Sequence, residues 1–173
     1  MHKFLRIASL GATVAALTLT AAPAFAAATT ATADPQAKAQ VRILKPLTLT
    51  AKQDLDLGTV ALGQGTFSTT VGIAKDGTWT CDGTKVTCSG THQVATYNVT
   101  GTNNRTVTIT AGNVTLSNGT DNLTLTVDAP ASVLLPNSGN TGVDFDIGGS
   151  VDLTEATPDG LYQGDFDVTA DYQ

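Results

Sequence analysis

The chain has 173 residues and a formal net charge of −6, with 15 acidic and 9 basic side chains. An acidic chain with few lysines and arginines is poorly suited to binding nucleic acid, whose phosphates attract positive charge. A chain of this length is expected to form one domain with its own hydrophobic core.

Residues 1–26 have the composition of a secretory signal peptide. A short lead containing Lys3 and Arg6 precedes an apolar run, and Ala24-Phe25-Ala26 forms an A-x-A cleavage site. The apolar run is too short for a membrane-spanning helix and ends at small residues. We therefore expect secretion of a mature chain that begins at Ala27 and has no membrane span.

Residues 27–46 form a distinct N-terminal extension. Its first part is small and polar, a composition typical of a flexible tail. Apolar and polar residues then alternate up to Pro46, which predicts a strand. The apolar members of this strand are Ala37, Ala39, Val41 and Ile43, and the polar members between them are Lys38, Gln40 and Arg42.

Residues 47–173 carry many short runs in which apolar and polar residues alternate. Turn signals such as Asn118-Gly119 and Gly148-Gly149 separate these runs, and no stretch has the periodicity of a helix. Many short strands joined by turns predict an all-β fold, an immunoglobulin-like antiparallel β-sandwich.

Two cysteines, Cys81 and Cys88, bracket the sequence CDGTKVTC, in which Asp82-Gly83 is a turn signal. Paired cysteines in an exported chain predict a disulfide that closes a local hairpin. A metal site would need further ligands, and His92 is the one histidine after the signal peptide.

The sequence contains no catalytic constellation, so we predict a protein that is not an enzyme and needs no cofactor. No Gly-x-Ser-x-Gly motif surrounds a serine, and His92 is expected on the surface. Two sets of acids, Asp144/Asp146 and Asp165/Asp167/Asp171, could suggest calcium or paired carboxylates, but a solvated strand face explains them more simply. Trp79 and Tyr97 could bind a sugar, although packing against the core is the simpler interpretation.

The C-terminal stretch GLYQGDFDVTADYQ, residues 160–173, alternates with a period of two and predicts a half-buried strand. Chain ends usually fray unless something holds them. The tail is therefore expected to be either a core strand or one half of a contact with another chain. The residues assigned to its pairing side are Gly160, Tyr162, Phe166, Val168, Ala170 and Tyr172.

Both ends of the chain resemble chaperone–usher pilus subunits. Gly160 is the fourteenth residue from the C-terminus and Tyr172 is next to last, which is similar to the C-terminal signature of those subunits. The stretch TTATADPQAKAQVRILKPLTLT resembles the N-terminal extension of capsule-forming fibre subunits. LDLGTVALGQG, residues 55–65, is similar to the "dLdFG" segment of a large bacterial domain family of unknown function, and spore-coat-like pilins carry a related segment.

The resemblance implies a mechanism of assembly. Such subunits lack one strand of the sandwich, and a periplasmic chaperone lends a strand until the extension of the next subunit replaces it. The resemblance thus implies that residues 37–43, or the Thr/Ala-rich run just before them, are the donor strand. It also implies that the terminal strand forms one side of the acceptor groove. It also implies an outer-membrane usher, self-association into fibres and a place in a fimbrium at the cell surface.

One alternative stays open at this point. The chain could be a self-complete extracellular β-sandwich that binds carbohydrate or a surface, with its N-terminal strand folded into its own sandwich. One departure from the pilus pattern also matters. Many pilus subunits bridge their first two strands with a disulfide, whereas Cys81 and Cys88 can close only a local loop.

Overall fold

The computed structural model describes residues 30–137 and 141–173, so the predicted signal peptide lies outside the described residues. The chain divides into two compact units, Met1–Val41 and Arg42–Gln173. In the described part of the first unit, residues 30–41 are exposed and form no strand. Across the described ranges, no helix is long and apolar enough to cross a membrane.

The second unit is an antiparallel β-sandwich, as predicted, and its described residues contain no helix. Its strands are β1 (Thr48–Gln53), β2 (Thr59–Leu62), β3 (Ser68–Ile73), β4 (Trp79–Thr80), β5 (Val86–Ser89), β6 (Ala95–Thr100), β7 (Arg105–Ala111), β8 (Val114–Ser117), β9 (Asn122–Asp128), β10 (Ser132–Leu135), β11 (Val143–Thr154) and β12 (Val168–Tyr172).

Three sheets are built from these strands. The largest has the order β1-β6-β11-β3-β4, with β9 also paired to β11 and β8 paired to β9. A three-stranded sheet has the order β10-β7-β12, and β2 pairs with β5 in a two-stranded sheet. The alternation within each strand explains this layering, because one face of a strand can be buried while the other meets water.

Two hydrophobic clusters form the core. The first lies between β6, the first half of β11 and the three-stranded sheet, and it buries Val99, Val107 and Ile147 completely. The second is built around Phe67 and Val86 and includes side chains from β3, β9 and the second half of β11. Leu55 packs against both clusters and so joins them.

The long strand β11 serves both clusters because it changes partners at Gly148-Gly149. Residues up to Ile147 pair with β6, while the residues from Gly149 onward pair with β3. A Cβ at Gly148 would lie 2.5 Å from the carbonyl carbon of Ala74 and 2.6 Å from the backbone nitrogen of Lys75. A side chain at this point would therefore push β11 away from the end of β3 and the turn that follows it.

The predicted C-terminal strand is shorter than residues 160–173. Only Val168–Tyr172 form a ladder, and they pair with β7. The reason is that β7 ends at Ala111, which is opposite Val168, so the residues before Val168 have no partner on that strand. Between Gly160 and Val168 the tail has one isolated bridge, from Gln163 to Ser117 at the end of β8.

The disulfide between Cys81 and Cys88 is present, but it does not close a hairpin. Cys81 follows β4, which pairs with β3 in the large sheet, whereas Cys88 lies in β5, which pairs with β2. A turn connects the two strands. In this turn the backbone amide of Val86 donates to the carbonyl of Asp82 at 3.0 Å. The disulfide therefore joins two sheets rather than two strands of one sheet.

Candidate assembly site

Strands β1 and β12 each have one edge that no described strand covers. β1 pairs with β6 and is the first strand of its sheet, and β12 pairs with β7 and is the last strand of its sheet. Such edges leave backbone N–H and C=O groups available to another chain. We call the side of the first cluster that lies between β1 and β12 the open side.

The two strands of the open side run in opposite directions. Thr48, at the start of β1, pairs with Thr100 at the end of β6, and Tyr172, at the end of β12, pairs with Val107 near the start of β7. Because β6 leads directly into β7, the start of β1 and the end of β12 meet at the same end of the sandwich. A strand placed between them would therefore be antiparallel to one and parallel to the other.

Half-buried apolar side chains line the open side. Leu47 and Leu49 contribute from the β1 side and pack against the first cluster. Every second residue of the tail also packs against the first cluster, while the residues between them are exposed. The tail residues that pack here are Phe166, Val168, Ala170 and Tyr172.

The hydroxyl of Tyr172 closes one end of the open side. It donates to the backbone carbonyl of Lys45 at 2.7 Å and accepts from the backbone amide of Thr102 at 2.7 Å. The backbone amide of Lys45 in turn donates to the Thr102 hydroxyl at 2.7 Å. A Cβ at Gly101 would collide with the Tyr172 hydroxyl, so glycine is required for this close approach.

Tyr172→Phe should lower stability because it leaves a half-buried amide and a carbonyl without their shared partner. We expect a loss of about 1–3 kcal/mol in the free energy of unfolding, measured by chemical denaturation. Tyr162→Phe is the matched control, since the Tyr162 hydroxyl makes only a local bond to the carbonyl of Pro158, at 3.0 Å. Equal losses in the two variants would show that Tyr172 does not hold the chain ends together.

At its other end, the open side is bounded by aromatic rings. Tyr97 stacks on Phe145 with ring centroids 5.9 Å apart and meets the edge of Phe166 at 6.3 Å. Burial raises the pKa of the Tyr97 hydroxyl, and the carboxylates of Asp54 and Asp167 raise it further. Tyr97 therefore stays neutral and acts as a packing residue.

The structure separates the sequence-predicted pairing residues into two groups. Gly160 and Tyr162 lie outside β12, in a loop whose Gly160 approaches the Asn118 side chain. Phe166 and the alternate residues of β12 lie together on the first cluster. Sequence reasoning missed Leu47 and Leu49 as the opposite wall, although the apolar alternation after Pro46 is visible in the sequence.

The predicted donor residues Ala37, Ala39, Val41 and Ile43 are exposed, and Val41 and Ile43 are each 86% accessible. The strand expected from their alternation is not formed in the single chain, because a strand needs a hydrogen-bonding neighbour and no described strand pairs with these residues. Their role as a donor to another chain stays a prediction.

The aromatic residues weighed as sugar contacts are engaged in packing. Trp79 packs against the second cluster, and His92 stacks on it with ring centroids 4.3 Å apart. His92 itself is exposed, as expected. The ring stack covers one face of Trp79 next to the disulfide.

The acidic residues on β11 are held by neighbours on the sheet face. Asp144 accepts hydrogen bonds from Lys52 and Asn98, both at 2.6 Å, and Asp146 accepts one from the Thr96 hydroxyl at 2.7 Å. The Lys52 and Asn98 hydrogen bonds lower the pKa of Asp144. In the described part of the chain, no group of three or more histidine, cysteine or acidic side chains could hold a metal ion.

Acid should destabilise the fold through Asp128. The side chain and the backbone amide of Lys75 donate to its carboxylate at 2.6 and 3.0 Å, and these bonds lower its pKa. A lowered folded-state pKa gives stability that is present at neutral pH and is lost as the pH falls through that pKa, below about pH 4. Asp128→Asn should therefore be less stable than wild type near neutral pH, with the gap closing on acidification.

Denaturation curves across this pH range test the expectation. Asp165→Asn serves as the control because its carboxylate has no hydrogen bond or ion pair among the described residues. A gap between Asp128→Asn and wild type that does not change with pH would contradict it.

Comparison with known proteins places the sequence of this domain in a family. A family model described as "Domain of unknown function (DUF4402)" matches residues 47–172, a range that begins directly after Pro46 and ends at Tyr172. The chain is a member of the DUF4402 family. No curated protein and no solved structure matches it. The predicted relation to a domain family of unknown function is therefore confirmed.

The DUF4402 match contains both strands of the open side. β1, β12 and Tyr172 lie within the matched range, whereas residues 37–43 precede it. The family description names no activity or partner.

Proposed function

We propose that this DUF4402 protein is a secreted structural subunit of a surface fibre or pilus, assembled by exchange of a strand between copies. The observation that carries the proposal is the open side, where β1 and β12 present uncovered edges on one flank of the first cluster. Adding a strand to such an edge is a common mode of protein recognition.

The N-terminal extension of a second copy has the properties of the missing strand. Its apolar residues alternate with polar ones, as a strand with one buried face requires. Val41 and Ile43 are almost fully exposed, so burying them in another copy gains free energy that the single chain does not have. Each would contribute about 1.5–3 kcal/mol, and the alanines would contribute less.

A donor strand of one copy that enters the acceptor of the next copy produces a head-to-tail contact. Contacts of this kind do not close on themselves and so generate filaments. The proposed role is structural rather than catalytic and needs no cofactor. A periplasmic chaperone that covers the open side before assembly, an outer-membrane usher and a place in a fimbrium complete the proposal.

The disulfide supports export to an oxidising compartment, where such bonds persist. An exported subunit with an uncovered edge would aggregate unless a partner protected it, which is the physical reason for proposing a chaperone.

A peptide competition experiment tests the proposal. The chain lacking residues 1–26 should form oligomers that resist SDS on unboiled gels, and an excess of a peptide of residues 31–45 should shorten them by occupying the open side. A scrambled peptide of the same composition should leave their length unchanged. If the protein is a monomer whose mobility and stability neither peptide changes, strand exchange is wrong and the self-complete sandwich, binding carbohydrate or a surface, becomes the better interpretation.

A further inference from the structure

The outward face of β12 carries two carboxylates at a spacing of four residues. Asp167 lies directly before the strand and Asp171 within it, with Thr169 between them, and all three are exposed. Among the described residues, neither carboxylate forms an ion pair. The uncovered edge of β12 is therefore bordered by negative charge.

The polar members of the alternation in the extension carry the opposite charges at the same spacing. Lys38 and Arg42 are four residues apart with Gln40 between them, and all three are exposed. Neither cation forms an ion pair in the described ranges. In each triplet, Lys38/Gln40/Arg42 and Asp167/Thr169/Asp171, two like charges flank a neutral polar residue. The charge pattern of each triplet is therefore the same in both chain directions.

We infer that Lys38 and Arg42 of one copy pair with Asp171 and Asp167 of another, and that these pairs set the register of the donor strand and make assembly sensitive to salt. This inference rests on the proposed function. Because both triplets are symmetric, the match holds for either direction of the donor, and Gln40 lies opposite Thr169 in both cases. Directly opposed charges of opposite sign stabilise a strand pair.

The register also suits the apolar face. With Gln40 opposite Thr169, the neighbouring donor residues Ala39 and Val41 lie opposite Val168 and Ala170, so side chains of modest size meet across the pair. A slip of one residue would turn the apolar donor face to water. A slip of two residues would break at least one of the two ion pairs.

The uncovered edge of β1, the other strand of the open side, does not offer this match. The outward residues of β1 are Thr48, Thr50 and Lys52. Lys52 repels a cationic donor and is already bound to Asp144 at 2.6 Å. The positive charges of the donor are therefore complementary to β12 and not to β1.

A charge-swap experiment tests the ion pairs. Lys38→Glu/Arg42→Glu should weaken self-association by about tenfold or more at low salt, since it replaces two attractions by two repulsions. Adding Asp167→Lys/Asp171→Lys in the same chain should restore it. Wild-type association should weaken between ionic strengths of about 0.01 M and 1 M, over which the Debye length falls from about 30 Å to about 3 Å.

The outcomes separate this inference from the proposed function. If wild type and the Lys38→Glu/Arg42→Glu variant associate equally at low salt, the charge pairing is wrong and strand exchange stands. If wild type does not associate at any salt concentration, both are wrong.

A cysteine experiment tests the register. Gln40→Cys/Thr169→Cys should give a covalent ladder on non-reducing gels, because residues directly opposite in a ladder have Cα atoms within the range of about 7 Å that a disulfide can bridge. Gln40→Cys/Asp165→Cys is the matched control, since Asp165 lies about 13 Å further along the tail. Peptide mapping should show that Cys81–Cys88 is retained in both variants.

A ladder from the Asp165→Cys variant alone, or from neither variant, would overturn the register. A monomer with a closed bond between positions 40 and 169 would show that the chain's own extension occupies the edge, and would overturn the second copy as the occupant.

Discussion

Val41→Asn should abolish self-assembly while leaving the fold of the subunit intact. In the single chain the Val41 side chain is 86% exposed, so the substitution removes almost no packing from the monomer. In the proposed complex the same side chain is buried beside β12. In the complex, Val41→Asn loses about 1.5–3 kcal/mol of apolar burial. It also buries a side-chain amide without a hydrogen-bonding partner, which costs about 1–3 kcal/mol more.

The measurement is the fraction of SDS-resistant oligomer on unboiled gels, together with the melting temperature of the monomer. Gln40→Asn is the matched control, since it places the same side chain on the outward face of the same segment, and it should assemble as wild type does. If Val41→Asn and wild type form the same oligomers, the apolar face of the extension is not the donor surface. A lower melting temperature for monomeric Val41→Asn would show instead that Val41 supports the fold of its own chain.

Gly148→Ala should be among the most damaging single substitutions in the sandwich. The added methyl group would meet backbone atoms of the β3 side, at 2.5 Å from the Ala74 carbonyl carbon and 2.6 Å from the Lys75 nitrogen. Backbone cannot rotate away as a flexible side chain can, so strand β11 or the turn after β3 must shift. We expect a loss of about 3 kcal/mol in the free energy of unfolding, which corresponds to a fall of roughly 10 °C in melting temperature.

Gly112→Ala provides the control for this prediction. A Cβ at Gly112 has no neighbouring atom within 4 Å, so the substitution should change stability by less than about 1 kcal/mol in either direction. Thermal unfolding of the two variants side by side is sufficient. Equal melting temperatures would mean that the close approach at the middle of β11 is not required for the fold.

The fold class and the faces of the strands could be predicted from the sequence because alternation is a local property. In the tail, Phe166, Val168, Ala170 and Tyr172 are half-buried and the residues between them are exposed, as the alternation predicts. The disulfide was predictable as well, since two cysteines in a chain that is predicted to be exported have few other partners. None of these inferences needs knowledge of which strand lies beside which.

The candidate site could be predicted only in part. The alternation of apolar and polar residues identified β12 as one side of the site and residues 37–43 as a segment suited to be a donor strand. It did not reveal that β1 forms the opposite wall, or that the Tyr172 hydroxyl joins Lys45 to Thr102. These contacts connect residues that are far apart in sequence, and no local pattern specifies such a pairing.

By itself, the sequence determined that this protein is an all-β chain with an apolar alternation at each end and one disulfide. Only the tertiary structure decided where the tail begins to pair, that the disulfide joins two sheets, and that β1 and β12 meet on one side of the core. The physical reason is that a strand's face is decided by its own residues, whereas its length and neighbours are decided by the strands available to it. β12 starts at Val168 because β7 ends at Ala111, and the open side exists because no described strand lies beyond either edge.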